Sequence, residues 1–224
     1  VALAALLLAS CGTWAQAQSL EPRSYSALPV GMNFLGVGYN HASGGVTFDP
    51  SVPLTDAHIR TDTEALAYVR SFGLWSKSAK FDVVVPVVSL AGSAYLDGER
   101  KTRDIAGLGD PAFRFSLNFF GAPALDLAQF RDFRQDLIVG ASLRVTAPWG
   151  QYDDTRIVNI GTNRWSFKPE LGASQALGAW ICDMYAAATF YTANQQFLET
   201  GTTQQDPLYS LQGHVVRNFP RGVW

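Results

Sequence analysis

The strongest constraint on this chain is a period of two that recurs along most of its length, clearest in residues 110–120, DPAFRFSLNFF. Phe113, Phe115, Leu117 and Phe119 are apolar there, and Arg114, Ser116 and Asn118 between them are polar. A helix would scatter the aromatic residues around its circumference, whereas a strand gathers them on one face and turns the arginine to the other. The same alternation predicts strands over residues 30–48, 58–75, 80–92, 136–149, 165–174, 180–192 and 209–216, about eight in all. Pro86 interrupts the third of these and belongs at a sheet edge or a bulge, because it removes a ladder donor. Residues 93–105 read as a long charged loop, 148–163 as a loop of about fifteen residues and 194–207 as a long polar loop. Residues 121–135 admit either a long turn or a short amphipathic helix with Leu125, Leu127 and Phe130 on one side. The fold class that follows is all-β and antiparallel.

Alternation alone does not say which face meets other protein. Strands of ten or more residues exceed the five or six usual in soluble sheets and match the span of a tilted membrane strand. Charged residues make up 16% of the chain, against about 25% in a typical soluble domain. Full charges nevertheless fall mid-strand on the polar parity: Asp82, Arg114, Arg144, Lys168, Glu170 and Asp183. Trp75, Phe119, Phe120, Trp149, Trp165 and Trp180 mark strand ends, where the aromatic girdles of a membrane barrel stand. An arginine at the bilayer midplane of a barrel costs about 2–4 kcal/mol, and each buried large apolar side chain contributes about 1.5–3 kcal/mol. The expectation is therefore an up-and-down transmembrane barrel in the bacterial outer membrane. Phe113, Phe115, Leu117, Phe119, Leu143 and Phe167 would face lipid, and the six charged residues would line the lumen. Predicted connections alternate short and long, as in such barrels, with 121–135 the exception.

The first seventeen residues are of another kind. VALAALLLAS is too short to span a bilayer as a helix and fits a signal-peptide core, and Ala15-Gln16-Ala17 supplies the small residues that signal peptidase reads. The expected division is thus 1–17 signal peptide, truncated at its start, and 18–224 barrel domain. A competing reading takes Leu8-Ala9-Ser10-Cys11 as a lipobox with Cys11 acylated. Cys11 and Cys182 suggest no disulfide framework and stand in no metal-ligand spacing. A net charge of -2 with scattered basic residues gives nothing for nucleic acid to bind. No cofactor or metal is expected; Asp153-Asp154 reads more simply as an exposed acidic loop than as a cation site. A triad of Ser210, His214 and Asp183 fails on spacing, since four residues of strand place Ser210 and His214 about 13 Å apart. No catalytic residue is assigned, and the chain is not read as an enzyme.

The segments LEPRSYSALPVGMNFLGVGY, RSFGLWSKSAKFDVVVP, GLGDPAFRFSLN and NRWSFKPELGASQALG resemble the MetA-pathway phenol-degradation family of transporter-like bacterial outer-membrane barrels. The likeness runs over most of residues 18–224. It implies a barrel acting as a channel or transporter for small aromatic or hydrophobic molecules, with outer-membrane lipid and a small solute as its partners. The alternative is a barrel with a filled lumen serving a structural role, or a lipid-modifying enzyme. Because Val223-Trp224 would open a ninth strand and such barrels have even strand counts, the expectation is a chain truncated at its C-terminus and a complete barrel of ten to twelve strands. The lumen charges admit two roles, lining a permeation path or pairing with one another across strands.

Overall fold

A computed structural model of the chain describes residues 22–46 and 54–219. The signal-peptide and Cys11 readings lie outside the described residues, as do the 47–53 connection and the C-terminal residues 220–224.

The strands are β1 (Asn33–Val46), β2 (Leu54–Leu74), β3 (Lys77–Leu96), β4 (Glu99–Leu108), β5 (Ala112–Phe120), β6 (Leu137–Thr146), β7 (Ser166–Leu177), β8 (Trp180–Tyr191), β9 (Asn194–Phe197), β10 (Gly201–Thr203) and β11 (Leu208–Arg217). One helical turn, α1 (Leu127–Phe130), lies between β5 and β6, closed at its start by a capping box from Asp126 and Gln129. The short-helix reading of this connection is thus the one realised. Among the described residues nine strands form a single antiparallel sheet in the order β1-β2-β3-β5-β6-β7-β8-β11, with β4 also on β3. The order follows the chain, as in an up-and-down barrel.

Two of the expected loops are strands. Residues 93–105 carry no apolar parity, since charges occupy both faces, so hydrophobic periodicity is blind to them. The backbone nonetheless pairs: Leu96 stands opposite Glu99 and Val87 opposite Leu108, around a two-residue turn at Asp97-Gly98 with positive φ at both positions. Taken from the loop end, β3 therefore pairs first with β4 and then, from Val84 to Ala79, with β5. Pro86 sits in the gap between the two ladders, neither at a sheet edge nor in a bulge of its own strand, and its carbonyl accepts from Gly109 N at 2.9 Å. Within 194–207, the hairpin β9–β10 is the second correction. The count of eight strands rises accordingly, and the third connection is a tall hairpin rather than a long loop.

The sheet curls. Ser24 N donates to the Tyr185 hydroxyl on β8 at 3.2 Å, and Ser24 O accepts from Lys80 Nζ on β3 at 2.5 Å. Those strands stand four places apart in the sheet, about 19 Å if it were flat. One residue reaches both only because the strands wrap around it.

Register settles which side chains share a face. Phe113, Val145, Phe167 and Phe190 form one row across β5 to β8, and Phe115, Leu143 and Pro169 another. This is the convex face, where Leu35, Leu171 and Leu211 are 74%, 61% and 72% exposed. A bulge between Leu117 and Phe120 lets consecutive residues Phe119 and Phe120 both turn outward. Aromatic groups cluster at two levels. Phe113, Trp149, Trp165 and Phe167 are in successive ring contact at the loop end, and Trp75, Phe119, Phe120 and Trp180 are exposed toward the short-turn end. On β7 the levels are marked by Phe167 and Leu177, about 33 Å apart along the strand and about 25 Å along a barrel axis tilted by 40°. That is the height of a membrane-barrel apolar band.

Candidate functional site

The concave face carries the polar parity. Asp82, Arg114, Arg144 and Lys168 stand opposite one another in a single row across β3, β5, β6 and β7. Antiparallel pairing at this register allows no other outcome, because a shift of one residue would turn every member of the row outward. Asp82 is 4% exposed and its Oδ2 accepts from both Nε and Nη2 of Arg114 at 2.5 Å. Lys168 Nζ lies 3.2 Å from Glu170 Oε2, two residues along the same strand face. Five of the six predicted charges thus form one belt of three cations and two carboxylates. Within the belt Asp82 pairs with Arg114 and Glu170 with Lys168, on the concave side of the sheet.

The sixth, Asp183, belongs to a different structure. It is 1% exposed and its Oδ2 accepts from the backbone N of Arg23 at 3.0 Å. Residues 22–31, all but the last two outside any predicted strand, enter the hollow of the sheet below the charge belt and are held there by inward side chains of six strands. Asn118 Nδ2 donates to Tyr25 O at 3.0 Å, and Ser71 Oγ donates to Pro29 O at 2.5 Å. The Tyr25 hydroxyl donates to Glu170 Oε1 at 3.1 Å and lies 3.2 Å from Ser142 Oγ. Burial pushes the Tyr25 phenol above its ordinary pKa, so it remains a donor to that carboxylate. Tyr25 is 1% exposed and packs with Ala27, Ala122, Ile138 and Tyr185, its ring 5.2 Å from that of Tyr185.

Two glycines make room for it. Gly140 and Gly172 are paired on β6 and β7, and a Cβ on Gly172 would lie 2.1 Å from Tyr25 Cε2, one on Gly140 2.5 Å from Cδ1. The aromatic ring lies flat on bare backbone. A signal for this segment was present in the sequence: the inward positions Ser116, Gly140, Gly172 and Ser174, in three adjacent rows of the wall, are all small, which leaves space for something else.

At the loop end the wall opens at Gly109-Asp110-Pro111, between β4 and β5. Asp110 Oδ1 accepts from Gly150 N at 2.8 Å, and Oδ2 accepts from Thr162 N at 2.8 Å and Thr162 Oγ1 at 2.7 Å. This carboxylate draws the 147–165 connection against the break. Within that connection Thr155 donates to Asp153 Oδ1 from its hydroxyl at 2.6 Å and its backbone N at 3.0 Å. Those two bonds, with the Arg103 and Arg156 guanidinium groups, hold the Asp153 carboxyl below the usual carboxylate range. Asp153 is thereby committed to protein groups, and no cluster of metal-ligating side chains occurs among the described residues.

The family model described as "Putative MetA-pathway of phenol degradation" matches residues 38–224. The chain belongs to this family. Among solved structures it is similar to an outer membrane channel from Pseudomonas putida F1, at 23% identity and a TM-score of 0.62, covering 88% of this chain and 71% of that one. No curated protein matches. The likeness establishes the fold of this phenol-degradation-family protein as the outer-membrane β-barrel type.

Other residues weighed from the sequence are not brought together as a catalytic site. His214 faces Asp183 across β11 and β8, yet its Nε2 lies 3.3 Å from Gln212 Oε1, while Asp183 serves Arg23. The other two histidines, His41 and His58, were assigned no role from the sequence and stand on the outer parity of β1 and β2, far along the sheet from His214.

Proposed function

We propose that this chain forms the wall of a passive outer-membrane channel for small apolar or aromatic solutes, with its periplasmic end stopped by residues 22–31. The observation that carries the reading is the opposed polarity of the two faces. The convex side offers Phe113, Phe115, Leu117, Phe119, Leu143 and Phe167 to lipid, while Asp82, Arg114, Arg144, Lys168, Glu170 and Asp183 are turned toward the hollow. A soluble sheet would bury the first set and expose the second; a membrane barrel does the reverse. No reaction is assigned to it.

Residues 22–31 also support a second reading, a barrel whose filled lumen serves structure alone. Ion conductance in planar bilayers and solute uptake into liposomes, measured on the full-length protein, separate the two. The channel reading expects conductance that rises when residues 22–31 are released, and a shift from anion toward cation preference in R114E/R144E. A folded, heat-modifiable protein that stays silent with the segment removed would sink the channel.

A further inference from the structure

Above the charge belt, at the loop end, the concave face holds a cavity of about 520 Å³, within the range of about 300–1,000 Å³ typical of small-molecule sites. Its wall is aliphatic: Ala57 and Ile59 from β2, Leu90 and Leu96 from β3, with Ile157 and Leu198 reaching over from the two long connections. Into this wall comes Arg103. Register puts Ile59, Gly92 and Arg103 in one row across β2, β3 and β4. Gly92 carries no side chain, and a Cβ there would lie 3.1 Å from His58 O and 3.3 Å from Ile59 Cγ1. The glycine therefore keeps the space between the isoleucine and the guanidinium open.

The guanidinium is poorly satisfied. Arg103 Nε is buried with no hydrogen-bond partner among the described residues. Its Nη2 lies 3.6 Å from Asp153 Oδ2, and Arg156 Nε lies 3.8 Å from the same oxygen, both beyond hydrogen-bond length. Asp153 instead takes its bonds from Thr155. Lys101, the remaining cation of the lining, pairs with Glu99 at 2.8 Å. A buried donor without an acceptor beside a roomy apolar wall is the arrangement expected where a ligand supplies the acceptor.

We infer that this cavity is a binding site for a compact amphipathic monocarboxylate, its apolar body against Ile59, Leu90 and Ile157 and its carboxylate on Arg103. The inference rests on the channel reading in making the cavity the outer station of the path. A carboxylate matches the guanidinium fork in charge and plane, and Arg156 stands close enough to share it. A neutral amide of the same shape would keep the apolar contact and lose the charge-assisted bond. The binding energy of such a ligand is thus divided between two parts of the wall that can be altered separately.

The test reads binding rather than flux. The full-length protein in lipid nanodiscs is titrated with 2-naphthoate and octanoate and with their neutral amides, empty nanodiscs serving as the blank. The expected result is saturable binding of an acid about ten- to hundredfold tighter than its amide. Whichever of the two acids binds tighter identifies the body as aromatic or aliphatic. R103Q removes the acid preference while leaving amide binding in place, R103K keeps part of it, and L90W, which fills the cavity, abolishes both. Heat-modifiable migration shows that each variant is folded. Absence of saturable binding to the folded protein, equal binding of acid and amide, or an acid preference that survives R103Q would overturn the assignment. Binding with no conductance even after residues 22–31 are removed would refute the channel and leave the site standing; conductance without binding would do the opposite.

Discussion

Replacing Gly172 by alanine tests whether residues 22–31 are held as described, because elementary propensity and the packed structure predict opposite signs. Glycine inside a strand is unfavourable by about 0.5–1 kcal/mol relative to alanine, so a free strand would gain from G172A. In this protein the new methyl would stand 2.1 and 2.3 Å from two ring atoms of Tyr25 and 2.8 Å from Tyr185 Cδ1. The neighbouring backbone is paired on both sides of β7 and does not yield, so Tyr25 must leave. That loses the burial of an aromatic ring, about 1.5–3 kcal/mol. It also loses the hydrogen bonds to Glu170 and from Asn118, about 0.5–1.5 kcal/mol each. The strand gain is common to the held and released states and cancels, so the balance is about 3 kcal/mol toward release, or roughly a hundredfold in the population of the released segment. Trypsin reports it directly. The Arg23–Ser24 bond is shielded while Arg23 N and Ser24 N are held by Asp183 and Tyr185, and cleavage follows the open population when reclosing is fast. G172A should be cut about a hundredfold faster than the native protein with its heat-modifiable migration unchanged. Y25A should also be cut faster, and G172A should add little to it, since the two shortest contacts are then gone. Native-like cleavage of G172A, or an equal effect of G172A with and without Tyr25, would refute the account.

Two further outcomes follow from the loop end. D110A removes three hydrogen bonds, about 2–4 kcal/mol of local stability together; hydrogen exchange should quicken by one to three decades over residues 150–162 while β6 and β7 keep their protection. Asp153 has a lowered folded-state pKa, first through its Thr155 bonds. Its stabilisation of the loop is therefore present above the unfolded carboxyl value near pH 3.9 and lost as pH falls through the depressed folded value. Exchange at the Thr155 amide, followed from pH 6 downward and corrected for intrinsic rate, should lose protection only in that acidic window, and D153N should abolish the dependence.

How much of this was legible in the sequence depended on the signal each segment emits. Strands with one apolar parity announced themselves: Phe113 to Phe119 and Leu137 to Val145 needed only their alternation to be placed, and the row Asp82–Arg114–Arg144–Lys168 followed from parity once neighbours were known. β4 was invisible because Glu99, Lys101 and Arg103 alternate with Arg100, Thr102 and Asp104, so both faces are polar and only the backbone ladder defines the strand. Pro86 was read as an edge or bulge mark; it falls instead where β3 exchanges one partner for another. Residues 22–31 carry almost no periodicity, and their place depends on contacts more than a hundred residues away in sequence, from Arg23 to Asp183 and from Tyr25 to Gly172.

Local chemistry by itself therefore determined the all-β class, the two unlike faces and the identity of the charges on the inner one, because side-chain direction in a strand is a property of consecutive residues. Tertiary structure alone decided that the hollow is occupied, that Asp183 holds the chain's own backbone while the other five charges form a belt, and that Arg103 ends in an aliphatic cavity. Those facts arise from the curling of the sheet, which brings strands four places apart within reach of a single residue, and no local pattern encodes a distance of that kind.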